Sequence, residues 1–95
     1  MSHLSLKEKI QELATRAREA TCEPHPHWLL PHIIEVLDVM FVRVRSPKEL
    51  LGAARALGRI VMDDYAFSES PLGTELLELA DDIVRKYAWR FPRFR

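Results

Sequence analysis

Proline placement limits this chain more than any other feature. A proline lacks a backbone N–H and pushes the residue before it out of the α region, so a helix accepts one only in its first turn. Prolines stand at positions 24, 26, 31, 47, 71 and 92. The long stretches between them carry apolar residues at steps of three and four, the period of an amphipathic helix. The spacing predicts an all-α, compact, four-helix bundle-like single domain over 1–95, with helices at about 5–22, 29–45, 47–66 and 71–91. Ninety-five residues leave room for one core and no second domain, and a 47% hydrophobic composition can fill it.

Each segment carries its own start signal. Ser5 with Glu8 has the form of a capping box before the stripe Leu6, Ile10, Leu13, Ala17, Ala20. Glu23-Pro24-His25-Pro26-His27 reads as a loop, and Pro31 fits the first turn of the second helix. Ser46-Pro47-Lys48-Glu49 combines a cap, a first-position proline and a second capping box, and Ser70-Pro71 repeats the Ser-Pro start. Leu50, Ala54, Leu57, Val61 and Tyr65 are the expected buried stripe of the third helix. Gly52 and Gly58 mark places where another helix could come close, and Ala66 to Ser70 reads as a polar break. The fourth helix has Glu75, Glu78, Asp81 and Asp82 in its first half and Arg85, Lys86 and Arg90 in its second, the order that complements the helix macrodipole.

The second helix stands apart because Leu30, Ile33, Ile34, Val36, Leu37, Val39, Met40, Phe41 and Val44 leave only a narrow polar strip. A helix apolar on most sides is expected to lie at the centre of the fold or beneath a second subunit. The β-branched run Val39 to Arg45 also has strand character, but no partner strand is evident elsewhere in the sequence.

Charge and cysteine content narrow the setting. Fourteen basic and fourteen acidic residues cancel, so the overall balance asks for no polyanionic partner. One cysteine, Cys22, makes no intrachain disulfide, and the N-terminus lacks a charged-then-apolar leader pattern, from which a cytoplasmic location is expected. No stretch is apolar enough to suggest a membrane partner.

Four groups could carry chemistry. Cys22, His25, His27 and His32 are competent transition-metal ligands, although their spacing matches no common structural zinc pattern. The C-terminal run from Arg85 to Arg95 is basic and interleaved with aromatics, which suits single-stranded nucleic acid; its four arginines and one lysine are a small footprint, and nucleic acid is not the expected partner. Asp63-Asp64 with Glu69, or Asp81-Asp82, offer paired carboxylates, but adjacent residues diverge by about 100° on a helix and do not converge on one atom. No phosphate loop or nucleophile elbow is present, no reaction is assigned and no cofactor is expected.

The fourth group is a surplus of large apolar side chains, which at this size points to an interface. The expected function is therefore a small helical protein–protein interaction module, self-associating as a homodimer. Its expected contact surface has Phe41, Val42, Trp89 and Phe94 as anchors and Arg43, Arg90 and Arg93 as a charged rim. The alternatives from other classes are metal or small-ligand binding by the Cys22 to His32 loop, and weak nucleic-acid binding by the C-terminus.

Overall fold

The computed structural model describes residues 5–90. The fold is all-α. Four long helices, α1 (Leu6–Ala20), α2 (Leu30–Val42), α3 (Pro47–Met62) and α5 (Pro71–Tyr87), are joined by a short α4 (Tyr65–Glu69) and followed by a 3-10 turn at Ala88–Arg90. No strand occurs among the described residues, so the Val39 to Arg45 run is helix and turn.

Three of the helix starts test the cap signals. At α1 the capping box forms in full: the Glu8 N–H donates to Ser5 Oγ at 3.1 Å and the Ser5 N–H to Glu8 Oε1 at 2.9 Å. At α5, Ser70 Oγ accepts from the Gly73 N–H at 3.1 Å. At α3 the proline start is correct but the expected box is absent. Ser46 has ψ 92, against 159 for Ser70 and 161 for Ser5, and its side chain accepts no cap hydrogen bond. Glu49 turns instead to Arg43 Nε at 3.1 Å.

The third helix is shorter than the expected 47–66. Asp64 leaves it with an extended backbone (φ −128, ψ 112) and its carboxylate accepts from the Phe67 N–H at 2.9 Å, opening α4. Aspartate satisfies a helix N-terminus better than it serves a helix interior, which explains the break. The supposed polar break is thus a helical turn that buries Phe67, while Tyr65, expected in the buried stripe, is 75% exposed.

The long helices form a closed ring in which α1 packs on α2, α2 on α3, α3 on α5, and α5 on α1, the α3–α5 contact being the most extensive. Their inward residues, among them Ile10, Leu13, Ile33, Leu37, Met40, Leu50, Leu57, Leu76 and Ile83, make one core. Each fully buried side chain of this size contributes about 1.5–3 kcal/mol. In such a ring no helix is central. The second helix buries one face against α1 and α3 and leaves Val39 and Val42 46% and 73% exposed, so its apolar circumference is not accounted for by a central position. No helix of the described residues is long and apolar enough to cross a membrane.

Candidate functional site

The seams between the helices differ in how they close. Arg18 meets Asp38 at 2.5 Å across α1 and α2, where Lys7 also lies 5.0 Å above the Phe41 ring. Glu75 receives Arg16 at 2.5 Å and Lys9 at 3.5 Å across α1 and α5. Arg43 holds Glu49 between the end of α2 and the start of α3. Among the described residues no ion pair spans the seam between α3 and α5; the nearby Arg85–Asp81 pair lies within α5.

That open seam is a groove of about 760 Å³. Its floor is made of small residues: Ala54 and Gly58 on α3 face Ala80 on α5, and a β-carbon placed on Gly58 would lie 4.0 Å from that of Ala80. Met62, Leu77 and Val84 supply apolar walls. The lips are charged and of opposite sign. Arg55 and Arg59 stand on the α3 side with no carboxylate partner among the described residues. Asp81 stands on the α5 side, where the groove runs on into a depression of about 530 Å³ that shares Leu77 and Asp81 and adds Glu78 and Glu69. The Gly58 signal in the sequence marked this seam; Gly52, read in the same way, meets nothing within 4 Å.

The residues expected to form the contact surface divide between two places. Val42 is 73% and Trp89 75% exposed, as anchors would be. Phe41 is half-buried beneath Lys7 on the α1 side, and Arg43 is engaged by Glu49. The Trp89 indole N–H donates to the Lys86 carbonyl at 2.9 Å, and the Arg90 guanidinium lies 5.9 Å from the Tyr87 ring. Since α2 and α5 each pack on α1 and α3, they take diagonal corners of the ring, so the two groups share one end of the bundle but no single helix face. Arg93 and Phe94 lie outside the described residues.

The histidine loop is organised around His27. Its Nδ1 accepts from the Leu29 N–H at 3.1 Å, which places the ring proton on Nε2, 3.2 Å from Asp64 Oδ2. The ring also stacks on Trp28 at 5.9 Å and tilts against Phe67 at 4.8 Å. The Phe67 N–H above all holds the Asp64 carboxyl below its usual range, against the opposing effect of partial burial and with help from His27. Both His27 nitrogens are engaged, so the ring presents no free lone pair to a metal in this arrangement. Cys22, His25 and His32 are exposed, with the Cys22 thiol 3.8 Å from the Arg18 carbonyl. Among the described residues no group of three or more His, Cys, Asp or Glu could hold a metal ion. The chemistry of this end is that of a latch between the α1–α2 loop and α4. No protein-family model, curated protein or solved structure matches the chain.

Proposed function

We propose that the chain is a helical protein–protein interaction module that receives apolar helical surface from its partner along the α3–α5 groove. The observation that carries this reading is the groove itself, with a small-residue floor between apolar walls and lips of opposite charge that no ion pair of the described chain closes. Small floor residues let a helix approach closely, as apolar walls supply the area that leaves water, and charged rims steer and orient a partner. The expected surface thus moves from Phe41, Val42 and Trp89 to a different pair of helices, keeping its character of apolar residues rimmed by arginine.

The test is photo-cross-linking in living cells from a benzoylphenylalanine at position 62, whose native methionine is 57% exposed at the groove wall. A discrete protein adduct that disappears when Gly58→Glu puts a charge on the floor supports the reading, provided circular dichroism shows the variant folded. Absence of any adduct, or one indifferent to Gly58→Glu, refutes it.

A further inference from the structure

We infer that the occupant of the groove is a second copy of this chain, related by a two-fold axis that runs parallel to the groove, so that α3 of each copy packs on α5 of the other. The inference rests on the interaction reading above and commits it to a partner and a geometry.

Charge decides both. A two-fold axis lying in the contact plane has two simple orientations. With the axis perpendicular to the groove, α3 faces α3 and α5 faces α5, which sets Arg55 and Arg59 against their own copies and Glu78 and Asp81 against theirs. Like charges across an interface cost affinity, and this pairing is disfavoured twice over. With the axis parallel to the groove, Arg59 of each copy meets Glu78 and Asp81 of the other, an attractive contact made twice, while Arg55 lies level with Val84, beside the Arg85 that pairs with Asp81. The surface is self-complementary only in this second orientation, as a closed two-fold dimer requires.

Register follows from the seam. Gly58 lies opposite Ala80 within one chain, so the antiparallel helices place Arg59 level with Glu78 and Asp81, and Met62 level with Leu77. A two-fold axis along the groove preserves these levels. Arg59 of one copy then reaches Glu78 and Asp81 of the other, and Met62 lands on Leu77, each contact made twice. Helix α3 runs antiparallel to the other copy's α5, an arrangement that also aligns their dipoles favourably.

The experiment is light scattering over a dilution series on four samples. The unaltered chain is expected to be a dimer that dissociates on dilution. Arg59→Glu, and separately Glu78→Lys with Asp81→Lys, are each expected to weaken self-association on the order of tenfold or more. Mixing the two variants in equal amounts is expected to restore a dimer, because both contacts of the mixed pair are again between opposite charges. Circular dichroism confirms that each variant is folded. In the like-on-like pairing, reversing one lip leaves like charges facing like, so a reversal that does not weaken association overturns the geometry. A monomeric unaltered chain overturns the self-pairing. If position 62 still cross-links to a different protein, the interaction reading survives that loss; if it cross-links to nothing, both fall.

Discussion

Replacing Gly73 with alanine places a methyl where the backbone of α4 already sits. The β-carbon would lie 1.9 Å from the Phe67 carbonyl oxygen, 2.9 Å from its carbonyl carbon and 3.1 Å from the Ser68 α-carbon. A close carbon–oxygen contact is roughly 3.3 Å, so α4 must retreat by more than about 1 Å. The retreat has consequences because the Phe67 carbonyl accepts from both the Ser70 N–H and the Ser70 hydroxyl, while Ser70 caps α5 through Gly73 itself. Alanine returns about 1 kcal/mol of helix propensity. Overpacking costs about 1–3 kcal/mol, a disturbed cap about 1 more, and Phe67 loses part of its burial. The net expectation is a loss of about 2–4 kcal/mol, which for a domain of this size lowers Tm on the order of 10–25 °C. The assay is urea and thermal unfolding followed by circular dichroism beside Gly52→Ala, where the added methyl meets nothing within 4 Å and a gain of about 0.5–1 kcal/mol is expected. If both substitutions stabilise, the close approach of α4 to α5 is not as described, and the reasoning fails.

Other expectations follow from the caps, the latch and the carboxylates. Ser70→Ala should cost about 1 kcal/mol and Ser46→Ala well under half of that, because only Ser70 accepts a cap hydrogen bond; equal losses in urea unfolding would contradict the difference in backbone geometry. His27→Ala leaves the Leu29 N–H without its acceptor and Asp64 without the imidazole, for an expected loss of about 1–3 kcal/mol by the same assay. Glu75 is held below the ordinary glutamate value of 4.5, first by its hydrogen bond from Arg16, and Glu8 and Asp64 are also lowered. A lowered folded value means that the contribution to stability is complete above the unfolded value and lost as pH falls through the folded one. Stability should therefore decline below about pH 4.5, and Glu75→Gln should flatten the acid limb of a stability–pH profile; a limb of unchanged steepness would remove Glu75 from the account.

Sequence and structure agree most closely where a local rule acts alone. The capping box at Ser5 depends on four consecutive residues and forms as expected. The two Ser-Pro starts look alike in sequence and differ in space, because Ser46 holds ψ 92 where Ser70 holds 159, and only the latter aims the hydroxyl at the N3 amide. The cap at Asp64 was legible in principle, since an aspartate precedes an apolar residue by three positions, but the continuing stripe from Leu50 to Val61 favoured extending the helix through Tyr65. Periodicity reports how apolar a face is; the wide apolar face of α2 allowed either a central helix or one with an outward apolar flank, and the ring leaves Val39 and Val42 on its outside.

The groove was harder to see because its ingredients are unremarkable in one dimension. Alanine and glycine carry a weak hydrophobic signal, and their effect is to bring two backbones together so that larger neighbours stand up as walls. Arg55 and Arg59 read as a solvated helix face, as Glu78 and Asp81 do. A net charge of zero conceals that these two sets flank one seam with opposite signs. The seams that include α1, and the junction of α2 with α3, use such charges to close on themselves, as in Arg18 with Asp38, Arg16 with Glu75 and Arg43 with Glu49. At the α3–α5 seam no ion pair of the described residues crosses, and Asp81 is held by Arg85 of its own helix. An isolated chain gains nothing from that segregation of charge, whereas two copies brought face to face about an axis along the groove would satisfy it on both lips at once.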